Sequence, residues 1–145
     1  MRIHYQKRKR NYKYRFIGAD AVNREVELPI KVYDKDYTNG YLTLRSDGML
    51  TIHHGYAWDG ASGPTWDDKT NMAGSLVHDA MYQLIRRGAI GMQYRQYADH
   101  LMKSICVSDG MHPKRAGLWL WAVRKFGFNS ARLSKKEQKI YTAGR

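Results

Sequence analysis

Between residues 24 and 54, apolar and polar positions alternate in short runs: REVELPIKVY (24–33), YLTLRS (41–46) and MLTIHH (49–54). These runs are rich in β-branched and aromatic side chains and are divided by the turn-forming pairs Asn39-Gly40 and Asp47-Gly48, so they predict an antiparallel β-hairpin or small sheet. Pro29 has no amide hydrogen to give a neighbouring strand, which marks the first run as an edge strand or a bulge. From 55 to 70, GYAWDGASGPTWDDKT carries neither a period of 2 nor one of 3.6 and predicts a loop. Beyond it the spacing turns helical. One helix is expected from a cap at Thr70 or Asn71 to a stop at Gly88, a second over 92–107, and a third from His112-Pro113 to Gly127.

The first helix separates its faces cleanly. At 100° per residue, Leu76, Val77, Ala80, Met81, Leu84 and Ile85 fill one half, while Ser75, His78, Asp79, Tyr82 and Arg86 fall within an arc of about 100° on the other. A histidine beside an aspartate on a polar face reads either as solvated surface or as chemistry. The Gly- and Asp-rich loop before this helix and Asp99 on the next one favour chemistry. In the third helix, Trp119, Ala122, Val123 and Phe126 form one apolar stripe and Leu118 and Trp121 another, a pattern that predicts core and, less often, a membrane or partner contact.

At 145 residues and 43% apolar content the chain is the size of one ordinary domain. The predicted fold class is α+β, an N-terminal antiparallel hairpin or small sheet followed by three helices. No stretch approaches the roughly 18 consecutive apolar residues of a membrane span, and the basic N-terminus lacks the apolar region of a secretory signal. Synthesis in the cytoplasm is the expectation, and the single cysteine, Cys106, allows no internal disulfide.

The net charge of +12 is gathered at the two ends. Residues 1–15 hold seven Lys or Arg and no acid, and residues 124–145 hold seven with only Glu137 opposing them. The division that follows is a basic arm or edge strand over 1–15, one α+β domain over 16–127 and a basic tail over 128–145. Basic ends on a near-neutral body predict attachment to a polyanion, either an anionic membrane surface or nucleic acid, with Arg8, Lys9 and Arg10 foremost.

The motifs SLVHDAMY (75–82) and YADHLMKSI (97–105) resemble the H-D-x-x-Y core of the phospholipase A-two superfamily, above all the disulfide-free type found in parvovirus capsids. With GYAWDGASGPTW (55–66) added, the chain is also similar to a phage- and bacteria-encoded domain family of unknown function with the pattern D-G-x-S-x-P, H-D-x-x-Y and A-D. The first resemblance implies a pair of phospholipase-like helices with His78 as general base, Asp99 holding its tautomer and Tyr82 supporting both. It also implies calcium, held by Asp79, by carbonyls of the 55–63 loop such as that of Gly60, and by Asp59. Trp58, Ser62, Trp66 and the basic arms would then engage the lipid.

The implied function is a phage- or prophage-type lipid esterase, or a protein retaining that scaffold. Two alternatives remain open on the residues alone. The His/Asp group can be a structural hydrogen-bond cluster, with His78, Asp59 and Asp99 tying loop to helices, and the protein can be a non-enzymatic phage or virion component whose basic ends bind nucleic acid or an acidic protein surface. Two lesser patterns rank below these: Ser62 lacks the G-x-S-x-G elbow of a serine nucleophile, and His53-His54 stand apart from any metal-ligand spacing.

Overall fold

The computed structural model describes residues 1, 3–7, 12–17, 24–28, 36–61 and 65–132. Arg8, Lys9, Arg10, Pro29, Ser62 and residues 133–145 lie outside the described residues, so the expectations resting on them stay as stated. The class is mixed α+β, with two small antiparallel sheets and four helices among the described residues.

The first sheet has the order β1-β2-β7, formed by His4–Lys7, Tyr14–Ile17 and Ala57–Trp58. The second has the order β3-β6-β5-β4, with β3 Arg24–Glu27, β4 Tyr37–Thr38, β5 Leu42–Leu44 and β6 Met49–Ile52. Residues 4–7 pair with 14–17 as an edge strand, one of the two alternatives for that segment. One expectation is corrected: Ala57–Trp58, placed in a loop by sequence, completes that sheet by pairing with Arg15 and Tyr14. A two-residue strand shows no alternation to read. The β5–β6 turn forms at Asp47-Gly48 as predicted, with Gly48 at φ +97°, a conformation that favours glycine.

The helices are α1 (Met72–Arg86), α2 (Arg95–Ser108), α3 (Pro113–Phe126) and the short α4 (Phe128–Ala131). Three of them fall where the 3.6-residue spacing placed them, and a 3₁₀ turn over Met92–Tyr94 leads into α2. Gly88 at φ +73° ends α1, and His112 caps α3 through its ring nitrogen, which accepts the Lys114 amide at 3.2 Å. Asn71 stands at the start of α1 but its side chain does not cap it; it turns back to donate to the Trp66 carbonyl at 2.7 Å and to accept the Asp68 amide at 3.1 Å. The loop is thereby pinned to the helix.

Leu42, Leu44, Leu50 and Ile52 of the second sheet share one core with Leu76, Val77, Met81, Leu84 and Ile85, and burial of each such side chain contributes roughly 1.5–3 kcal/mol. The polar arc of α1 does not face open water as a two-sided pattern suggests. Ser75, His78 and Tyr82 are buried too, because β7, α2 and α4 close around that side. Trp58 donates to Ser75 Oγ at 3.0 Å, and Tyr56 OH donates to Gln83 Oε1 at 3.1 Å, so β7 and the residues before it are fastened to α1. Helices α1 and α2 meet at Gly74, where a Cβ would come within 2.5 Å of Cys106 Sγ and 3.0 Å of the Met102 carbonyl. A second cluster, including Met102, Cys106, Met111, Trp119 and Val123, joins α2 to α3.

Candidate active site

The close α1–α2 contact brings two residues 21 positions apart into direct contact: His78 Nε2 lies 2.7 Å from Asp99 Oδ1. Asp99 is fully buried and takes two further donors, Tyr82 OH to Oδ1 at 2.6 Å and Arg124 Nη1 to Oδ2 at 2.9 Å. Tyr82 sits one turn along from His78, which is why both reach the same carboxylate. Its ring packs on the imidazole with centroids 4.1 Å apart.

Arg95 completes the group. It is buried, donates through Nε to Tyr82 OH at 3.1 Å, and through Nη2 to the carbonyls of Val123 and Arg124 at 2.7 and 2.9 Å. Those carbonyls belong to the last turn of α3, where a cation is favoured by the helix dipole; that of Val123 also accepts the Gly127 amide at 2.9 Å. Three helices are thus joined through one buried polar cluster.

The electrostatics follow from these contacts. Burial disfavours the Asp99 carboxylate, but the donors of His78, Tyr82 and Arg124 outweigh it and hold the group below the ordinary carboxylate value. Burial likewise works against a charged His78, and the carboxylates of Asp79 and Asp99 outweigh it and lift the imidazole above its usual value. Tyr82 is pushed up by burial and by the neighbouring Asp99, so it remains a neutral donor. With Asp99 ionised, Nε2 carries the proton it donates, and the neutral imidazole has its lone pair on Nδ1.

The ring also borders a cleft of about 260 Å³, whose lining includes Tyr12, Tyr56, Asp59, Gly60, Asp79 and Arg86 as well as His78. Val123, Gly127 and Ser130 form the side contributed by α3, α4 and their junction. Asp79 Oδ1 is 3.7 Å from His78 Nδ1. A carboxylate oxygen facing an imidazole lone pair at that distance favours a proton or a donor between them, which is why Asp79 raises the affinity of His78 for a proton.

Of the residues singled out by sequence, His78, Asp79, Tyr82, Asp59 and Gly60 line this one cleft, and Asp99 stands directly behind His78. Asp59 is exposed and accepts the Lys13 amide at 3.2 Å; it takes no part in the His78–Asp99 cluster that the structural alternative assigned to it. Gly60 has a role of its own in the fold: at φ +75°, a Cβ there would meet Asp67 Oδ1 at 2.6 Å and Tyr14 Cε2 at 2.7 Å. Trp58, expected at the lipid, is buried between Tyr14 and Ser75, although an edge of it reaches the cleft. Trp66 is 68% exposed and lies under the Arg115 guanidinium, 4.4 Å from its ring centre.

Calcium takes six to eight oxygen ligands. Asp79, Asp59 and the Gly60 backbone offer oxygen chemistry of the right kind, but among the described residues no three His, Cys, Asp or Glu side chains are grouped to hold an ion. His53, part of the other histidine pair, is occupied with Thr43 Oγ1 at 2.8 Å.

Sequence reasoning missed Arg95 and Arg124. Arg95 had a signal, lying four residues before Asp99 on one helix face, where opposite charges attract. Arg124 had none, because it comes from a different helix. In comparisons with known proteins, no family model, no curated protein and no solved structure gives a significant match to this chain.

Proposed function

We propose that the protein is a small ester hydrolase with a phospholipase A-two-like centre, in which His78 activates water and Asp99 holds the imidazole in place. The observation carrying this reading is the asymmetry of the ring: Nε2 is fastened to a buried carboxylate at 2.7 Å while His78 also lines the cleft. In the proposed reaction a water oxygen attacks the ester carbonyl carbon and its proton passes to Nδ1. The tetrahedral intermediate then collapses, and the departing alkoxide takes that proton back from the imidazolium. Asp99 stays ionised throughout and stabilises the transient charge on His78. Tyr82 and Arg124 are positioning residues, holding the two oxygens of Asp99.

The substrate class in this reading is a phospholipid or similar ester at an anionic surface. The test is fatty-acid release from phosphatidylglycerol vesicles, together with hydrolysis of a soluble short-chain ester, each with and without added calcium. His78→Gln should lower both rates by about 100-fold or more, since an amide keeps a hydrogen bond but takes no proton. Wild-type protein that hydrolyses neither substrate under any condition sinks the reading.

A second reading is favoured by one observation, that the same cluster ties α1, α2 and α3 together through Asp99 and Arg95. On that reading the cluster is a structural clamp in a non-enzymatic phage or virion protein whose basic ends hold nucleic acid. DNA binding that falls steeply with salt, without hydrolysis, distinguishes it.

A further inference from the structure

We infer that the outer face of α3 and α4 is a docking surface for an anionic lipid bilayer, which places membrane contact on a specific helix face instead of on the basic ends of the chain. Lys114, Leu118, Trp121 and Lys125 follow one another at spacings of four, three and four residues, which sets them on a single stripe of α3. Leu118 is 53% exposed, Trp121 54%, Phe126 69% and Phe128 50%, which corrects the expectation that both stripes of this helix, Leu118, Trp121 and Phe126 among them, lie in the core. Lys114, Lys125 and Arg132 are exposed beside them. Trp119, Ala122 and Val123 take the buried side, so the exposed apolar residues are surplus to the core.

Charge complementarity selects the occupant. No acidic residue occurs between 110 and 136, so the charged side chains that this stretch itself places beside the exposed apolar ones are cations. Aromatic rings with lysines beside them suit the boundary between acyl chains and anionic headgroups, where the rings bury and the ammonium groups stay at the phosphates. Base stacking fits less well, because Lys125 Nζ lies 4.9 Å from the Trp121 ring centre and 5.7 Å from that of Phe126, and these two rings meet edge to face. A second copy laid antiparallel would set Lys114 against Lys125, like charge against like. The surface stands independently of the hydrolase reading, since the cleft meets α3 on the opposite, buried side at Val123.

The experiment uses the full chain with phosphatidylglycerol and phosphatidylcholine vesicles, read by co-sedimentation and tryptophan emission. Wild type should sediment with phosphatidylglycerol and much less with phosphatidylcholine, with a blue-shifted emission that Trp121→Phe removes and Trp66→Phe keeps. The double change Leu118→Ser with Trp121→Ser should lower partitioning by at least about tenfold. Lys114→Glu with Lys125→Glu should do the same for phosphatidylglycerol, with thermal melts unchanged in both cases because the side chains are exposed. His78→Gln should bind vesicles like wild type, and the surface variants should hydrolyse a soluble ester like wild type, so failure of the hydrolase reading and failure of the surface are told apart. The inference is overturned by wild type that does not bind phosphatidylglycerol or by variants that bind as wild type does. It is equally overturned if these residues prove to hold single-stranded DNA or a second copy of the chain and not vesicles.

Discussion

Asp99 accepts from His78, Tyr82 and Arg124 with none of its surface open to water. Asp99→Asn removes the charge that these donors face, and a guanidinium, an imidazole and a hydroxyl then converge on an amide; unfolding should become easier by roughly 3 kcal/mol in urea titrations. The linked protonations set opposite pH edges. Because the folded-state value of Asp99 is lowered, its contribution is present above the ordinary 3.8 and is lost as pH falls through the lower folded value. Because that of His78 is raised, its contribution is complete below 6.5 and is lost as pH rises through the higher folded value. The proposed hydrolysis would need the neutral ring, so its rate should climb over the same interval, above 6.5, in which the His78 contribution fades. Asp79→Asn takes away one of the two carboxylates raising His78, and should move both the rate profile and the histidine NMR titration to lower pH. An unmoved titration would separate Asp79 from His78.

At the scale of elements, the dyad depends on how closely α1 and α2 approach. Gly74 permits that approach, since its missing Cβ is the space occupied by Cys106 Sγ and the Met102 carbonyl. Gly74→Ala improves helix propensity by up to about 1 kcal/mol in an exposed helix, but here the added carbon overpacks the contact. A net destabilisation of about 1–3 kcal/mol is expected, with hydrolysis falling more than stability because Asp99 is carried away from His78. Thermal melts read beside rates make the comparison. A stabilised Gly74→Ala protein would show that the helices can separate without loss. Cys106 belongs to this contact as packing: burial pushes its thiol up to about 12, so it holds no thiolate near neutral pH.

The whole molecule closes its first sheet with the start of the chain. β1 covers one edge of β2, Tyr5 meets Tyr14 and Trp58 edge-on at 5.3 and 6.1 Å, and the terminal ammonium of Met1 pairs with Asp109 at the end of α2. Deleting residues 1–7 should therefore lower the midpoint of thermal unfolding by several degrees, as about 1 kcal/mol does in a chain of this size. An unattached arm would leave the midpoint where it is. Among the described residues no helix is long and apolar enough to cross a membrane.

Periodicity in the sequence determined the three long helices, the Asp47-Gly48 turn and the buried face of α1, because local spacing and turn chemistry are recorded in neighbouring residues. The H-D pair and Tyr82 were legible for the same reason, being one turn apart on one helix. The partner chosen by His78 was named in advance through Asp99, but its bond required a helix contact governed by Gly74, four residues before His78 and 25 before Asp99. Arg124 on Asp99, the burial of Trp58 and the exposure of Phe126 were decided only by tertiary structure. Each depends on which elements lie next to one another, and hydrophobic patterning records which face is apolar without recording whether anything covers it.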